Sequence, residues 1–261
     1  MITSYNRPQT LSEALTLLSQ PNTVPLGGGT VLSHRQPSSV RVVDLQALGL
    51  NKIGKHGNNL EIGATATLQQ LLENELCPEA LKSALKLEAP LNLRNAATVA
   101  GSIVSCDGRS TFATMLLALD AKLDIQNFAI PRGRPSAKSQ ITIPNSPAMN
   151  IGSFLPLRPR GLITSLSIPL NVKTAFEDVA RTPADKPIVC AALAQWNSGR
   201  TRLALGGCGK APALAMDGTE AEGVESAARN AFHEAKDEWA SAEYRMEIAA
   251  TLAKRCSDRL A

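Results

Sequence analysis

Two glycine-bearing segments hold the residues best suited to chemistry, and the chemistry they suit is anion binding. The first is Gly27-Gly28-Gly29-Thr30, set between the extended Val24-Pro25-Leu26 and Val31-Leu32. Without Cβ atoms the backbone there can approach a ligand closely, and successive N–H groups can surround a pyrophosphate. A tight turn would use the same residues. The second segment runs from Asn92 to Ala121 and joins a permissive Ala100-Gly101-Ser102 loop, a polar Asp107-Gly108-Arg109-Ser110 turn and an apolar stretch. Phe112, Met115, Leu116 and Leu119 recur at helical spacing, which predicts a helix starting near Ser110 with that stripe buried. Small hydroxyls beside a helix N-terminus bring free N–H groups to one point, a natural anion site. Both segments can give amides to a single dinucleotide, and Thr98, Ser102, Asp107 and Ser110 add polar side chains to the second. Asp107 equally suits a turn that caps the helix, and Arg94-Asn95 suits a structural role in fixing the loop.

Other motifs are weaker. The first loop is not a G-x-G-x-x-G fingerprint, because Ser33 and His34 follow it where a later glycine is needed. Gly206-Gly207-Cys208-Gly209-Lys210 is not a P-loop: Ala204 replaces its first glycine and Ala211 the hydroxyl residue that would hold magnesium. Cys77, Cys106, Cys190, Cys208 and Cys256 are scattered without C-x-x-C spacing, so no zinc or iron–sulfur site is expected and reduced thiols are. His34, His56 and His233 lie in polar contexts, and no nucleophilic triad is visible. Catalytic residues therefore stay unassigned.

The elements that must position these loops can be read from periodicity. Thr10-Leu11-Ser12-Glu13 is a capping box ahead of Ala14, Leu15, Leu17 and Leu18, and predicts a first helix. Short strands are expected at Arg41–Leu45, Leu60–Ala64, Lys122–Ile125 and Leu162–Ile168, with helices over Leu68–Leu76 and Pro78–Leu87. Pro131–Pro159 carries six prolines and reads as a long connection. A boundary is expected after Pro169, giving domains 1–170 and 171–261. Beyond it, strands at Glu177–Arg181, Ile188–Trp196 and Arg202–Gly206 precede two helices. Asn197-Ser198-Gly199 turns between the last two strands, and the final helix, Ser241–Arg259, carries Ile248, Ala249, Leu252 and Cys256 on one face. The class is α+β, with a C-terminal subdomain of a three-stranded antiparallel sheet plus helices.

Composition agrees with a globular chain: 261 residues, 44% apolar, 19% charged and only 3% aromatic. A net charge of +4 without stacking aromatics argues against nucleic acid, and Arg132, Arg134, Lys138, Arg158 and Arg160 read as a solvated loop or an electrostatic docking surface. The start lacks a signal-peptide pattern and no apolar run is long enough for a membrane span, so a cytoplasmic chain is expected.

Taken in order, these pieces closely resemble the FAD-binding (medium) subunit of molybdenum hydroxylases, the xanthine dehydrogenase and carbon monoxide dehydrogenase family. The likeness is carried by Tyr5-Asn6-Arg7-Pro8, the Gly27–Leu32 loop, Val42-Val43-Asp44-Leu45, Ile62-Gly63-Ala64-Thr65, Leu93–Ser102, Leu116–Ala121 and Ile168-Pro169. Arg181 with Asp185, Ala204–Gly207 and Ala242–Arg245 extend it to the C-terminal part. The resemblance implies the two-lobed flavin-binding fold of the vanillyl-alcohol-oxidase/xanthine dehydrogenase type. It implies FAD held at its pyrophosphate by Leu26, Gly27, Gly28, Gly29, Thr30, Val31 and Leu32, with Thr98, Gly101, Ser102, Asp107 and Thr111 on the second loop and Ile163 against the ring. Thr111 stands where the family usually has a second aspartate, Ser102 where one branch has asparagine, and Glu177 roughly where some members have a lysine. The implied function is electron transfer between iron–sulfur clusters and NAD, a quinone or oxygen, with an iron–sulfur small subunit and a molybdopterin-binding large subunit as partners. The competing readings are a non-catalytic scaffold subunit that binds flavin weakly, motivated by Thr111 and Glu177, and a stand-alone flavin oxidoreductase.

Overall fold

Strand periodicity and helix caps sort the chain into three sheets. The computed structural model describes residues 1–34, 38–128 and 148–260. In chain order they form β1 (Ile2–Asn6), α1 (Leu11–Leu18), β2 (Thr23–Leu26), β3 (Val40–Asp44), β4 (Ile53–His56), β5 (Asn59–Gly63), α2 (Leu68–Glu73), α3 (Glu79–Glu88), α4 (Leu91–Arg94), α5 (Val99–Ser105) and α6 (Thr111–Ala118). These are followed by β6 (Lys122–Gln126), β7 (Met149–Asn150), α7 (Ile151–Leu157), β8 (Leu162–Pro169), β9 (Val172–Val179), β10 (Val189–Trp196), β11 (Thr201–Gly206), β12 (Ala213–Gly218), α8 (Val224–Ala231) and α9 (Ala242–Leu260).

The first sheet is parallel, in the order β1-β3-β2. Helix α1 is the crossover from β1 to β2, capped by Thr10 as its sequence predicts, and it buries Ala14, Leu15 and Leu18. The second sheet is antiparallel, β4-β5-β8-β6-β7, and with α2, α3, α5, α6 and α7 it encloses a continuous apolar core. The third is an antiparallel sheet, β12-β11-β10-β9, backed by α8 and α9. Helix α6 joins the last two: all its residues are buried, and it lies against α3 on one side and β10 and β11 on the other. That explains why its apolar residues run around the whole helix.

Several expectations need correction. The C-terminal sheet has a fourth strand, β12, whose Ala213-Leu214-Ala215-Met216-Asp217-Gly218 lacks two-residue alternation because it is a half-exposed edge with a bulge opposite Leu203 and Ala204. Its first strand starts at Val172, earlier than Glu177. Ala100-Gly101-Ser102 is not a loop but the first turn of α5, capped by Thr98. Within the expected connection Pro131–Pro159, residues 131–147 lie outside the described residues, as do Arg132, Arg134 and Lys138. Ile151–Leu157 of that stretch is helix α7, which tolerates Pro156 only near its last turn.

Candidate functional site

A cleft of about 450 Å³ opens where the first and second sheets meet. The glycine loop reaches it from the carboxyl end of β2, the end of a parallel strand where ligand crevices form. Register fixes the loop's start, since Leu26 pairs with Asp44 and accepts a hydrogen bond from Leu45 N at 3.1 Å. Its far end is held by Ser33 N donating to Gly29 O at 2.9 Å. Between these anchors, the N–H groups of Gly27, Gly28, Gly29 and Thr30 have no acceptor among the described residues. Gly29 adopts the left-handed region, φ 71°.

Residues 96–100 form the neighbouring wall, tied by a backbone ladder to residues 64–68. Leu68 N donates to Ala97 O, Val99 N to Ala66 O and Ala100 N to Ala64 O, at 2.8–3.1 Å. Ala64 N in turn donates to Thr164 O at 3.0 Å, which moors the ladder to β8. Thr98 stands at the junction. Its Oγ1 accepts Gly101 N at 3.2 Å, and a Cβ on Gly27 would lie 2.6 Å from that oxygen, one on Gly101 2.8 Å. Gly28 is tighter still, since a Cβ there would lie 1.6 Å from Ala96 O, so both walls meet through bare backbone. Ile163 and Leu162 of β8, with Phe128, Phe154 and Val104, complete an apolar face.

Of the residues singled out from the sequence, Gly27, Gly28, Gly29, Thr30, Val31, Leu32, Thr98, Gly101 and Ile163 line this cleft. Leu26 precedes it within β2, and Ser102, Asp107 and Thr111 do not line it. Asp107 closes its own turn by accepting Arg109 N at 2.9 Å, and it pairs with Lys186 at 3.6 Å. Thr111 is buried, donating to Ala84 O at 2.7 Å and to Glu88 at 3.1 Å. Glu88 also accepts Ser110 Oγ and Phe112 N, both at 2.9 Å. The anion drawn to the N-terminus of α6 is thus the chain's own carboxylate, which satisfies the donors a ligand would need. The first turn of α5 is likewise engaged, as Ser102 N bonds Thr98 O at 2.9 Å. Of the two segments singled out from the sequence, the first therefore supplies the run of free amides among the described residues.

Sequence reasoning missed Thr65, Ala100, Ser105, Phe128, Phe154, Arg158 and Arg160 as cleft residues. The two arginines were legible only as charges among prolines. Arg94 is structural as expected, bonding Gln69 at 3.0 Å and Ala89 O at 2.7 Å. Glu177 sits on β9 away from the cleft, paired with Arg259 at 2.5 Å. Burial pushes the thiols of Cys77, Cys190 and Cys256 up to about 12 and that of Cys106 to about 11, so they stay protonated. Among the described residues no group of three His, Cys, Asp or Glu could hold a metal, and no helix is long and apolar enough to cross a membrane.

Unengaged amides beside an apolar wall suit a ligand that carries phosphates at one end and a flat ring at the other. The chain belongs to the family described as the FAD binding domain in molybdopterin dehydrogenase, which residues 1–171 match. It is 28% identical over 229 residues to the glyceraldehyde dehydrogenase medium chain of Sulfolobus acidocaldarius, covering 82% of this chain and 78% of that one. It is 33% identical over 141 residues to the xanthine dehydrogenase FAD-binding subunit of Escherichia coli O157:H7, covering 50% of this chain and 47% of that one. Among solved structures, the reconstituted CO dehydrogenase from Oligotropha carboxidovorans matches with a TM-score of 0.78 at 22% identity, over 98% of this chain and 96% of that one. Quinoline 2-oxidoreductase from Pseudomonas putida 86 matches with 0.76 at 20% identity over the same shares. These structural likenesses establish the mixed α+β flavin-binding architecture.

Proposed function

We propose that this chain is the FAD-binding electron-transfer subunit of a multi-subunit molybdenum hydroxylase, standing between iron–sulfur clusters and NAD, a quinone or oxygen. The observation that carries it is the run of free amides from Gly27 to Thr30, facing a cleft walled by Ile163, Leu162 and Phe154. Residues 1–170 are the flavin domain in this reading, and 171–261 a domain that buttresses it through α6. Bound FAD supplies the exchange between one-electron and two-electron transfer. The chain's own part is to hold the phosphates on the loop amides, to orient the ring against Ile163, and to keep water from its buried face. An iron–sulfur small subunit and a molybdopterin-binding large subunit are the partners, by likeness to the multi-chain relatives. Buried, protonated thiols accord with a cytoplasmic setting.

Neither Thr111 nor Glu177, the departures that motivate the scaffold alternative, lines the cleft. A visible absorption spectrum of the purified chain, with acid-released cofactor identified by chromatography, tests the proposal. Near-stoichiometric FAD is expected. A colourless chain that also fails to take up added FAD would return the scaffold reading.

A further inference from the structure

The Arg158-Pro159-Arg160 step lines the same cleft, and its two arginines are used differently. Arg158 caps α7 in the left-handed region, φ 40° and ψ 59°. Its guanidinium is engaged by four carbonyls, donating to Cys106 O at 2.6 Å, Val104 O at 2.9 Å, Lys210 O at 3.1 Å and Leu155 O at 3.3 Å. That locks the step in place, and Pro159 fixes the next φ. Arg160 emerges from it with its guanidinium carbon 5.6 Å from the Phe128 ring centroid, and Phe128 packs on the core of the first sheet. Among the described residues Arg160 has no hydrogen bond and no carboxylate partner. Arg158 has no carboxylate partner either. An exposed, ring-stacked fork of five N–H donors therefore stands with no carboxylate against it among the described residues, at a cleft whose other donors are backbone amides, hydroxyls and the engaged Arg158. Such a fork suits phosphate oxygens, and stacking reduces the freedom lost when it binds them.

We propose that Arg160 is a phosphate-anchoring residue of the cleft, held ready by Phe128 and the locked Arg158-Pro159 step, and that it makes the site prefer phosphorylated flavins to riboflavin. This rests on the flavin-binding reading above. The test is titration of the full-length, flavin-free chain with FAD, FMN and riboflavin, followed by flavin fluorescence at low and high salt. Wild type, Arg160→Ala, Arg160→Lys and Phe128→Leu are compared, with thermal melts to verify folding. For Arg160→Ala the FAD Kd should rise about tenfold with a shallower salt dependence, while riboflavin binding stays the same. Arg160→Lys should recover part of the loss, and Phe128→Leu should show a smaller one. FAD binding by Arg160→Ala with wild-type affinity and salt dependence would overturn the proposal, as would an equal loss for riboflavin. A wild-type chain that binds none of the three would overturn the flavin-binding reading itself.

Discussion

A methyl group at Gly28 would lie 1.6 Å from the Ala96 carbonyl oxygen, while one at Gly29 would meet only Leu26, at 3.5 Å. The two neighbours should therefore respond differently to alanine. Gly28→Ala is expected to cost about 2 kcal/mol or more, because backbone has to move, and to weaken FAD binding at least about tenfold. Gly29→Ala should cost nearer 1 kcal/mol, from left-handed strain alone. Urea midpoints and flavin titrations would separate these outcomes. Thr111 gives a second case. Its hydroxyl serves Ala84 O and Glu88, so Thr111→Asp would set a carboxylate against another in a buried place. Repulsion raises the folded-state pKa of such a pair, so the penalty is full above that raised value and fades as pH falls from it to the ordinary carboxylate range. The variant should melt several degrees lower than wild type at pH 7, with much less difference in acid and no gain in FAD affinity. A gain in affinity would mean that Thr111 acts on the cofactor from outside the cleft wall.

At the scale of elements, the third sheet is pinned to α6 by charges that sequence spacing does not reveal. Arg202 is buried; it donates to Leu117 O at 3.0 Å and to Asp217 at 2.5 Å, and Arg200 bridges Asp217 and Asp120. The hydrogen bond from Arg200 chiefly holds the Asp217 carboxyl below its usual range. A lowered folded pKa means stabilisation that is present at neutral pH and lost as pH drops through that lowered value. Asp217→Asn should accordingly be less stable than wild type at pH 7, and the gap should close only below the ordinary carboxylate range. Acid melts of both proteins would measure it. Glycines do similar work without charge: Gly108 N bonds Gly209 O at 2.9 Å and Gly207 N bonds Gly108 O at 2.6 Å. A Cβ on Gly108 would lie 1.8 Å from Cys208 O. The glycine-rich end of β11, so like a phosphate loop in letters, is a backbone-to-backbone junction. Helix α6 was legible because its N-cap and stripe are local signals, whereas α5 was not, since a short helix bearing Gly101 differs little from a turn in sequence.

For the molecule as a whole, FAD at a hundred times its Kd should add about 2.7 kcal/mol by mass action. For a chain of this size that raises the melting temperature by roughly 5–10 °C, whereas riboflavin should do less if Arg160 anchors phosphate. Calorimetry with each ligand would decide it. By itself the sequence determined the α+β class, most element positions, the glycine loop and the order of motifs that marks the family. It could do so because caps, periodicity and glycine demands act within a few residues of chain. Only the tertiary structure decided which polar groups remain free. The parallel pairing of β1 and β2 with β3 aims the glycine loop into the cleft, and the ladder from residues 64–68 uses up amides that the sequence left available. Glu88, 22 residues from Ser110, fills the anion position at α6, and Arg160 gains its setting from Phe128, two residues beyond β6. Hydrogen-bond donors are satisfied by whatever folding brings near, so an anion site is defined by what the rest of the chain leaves unbonded.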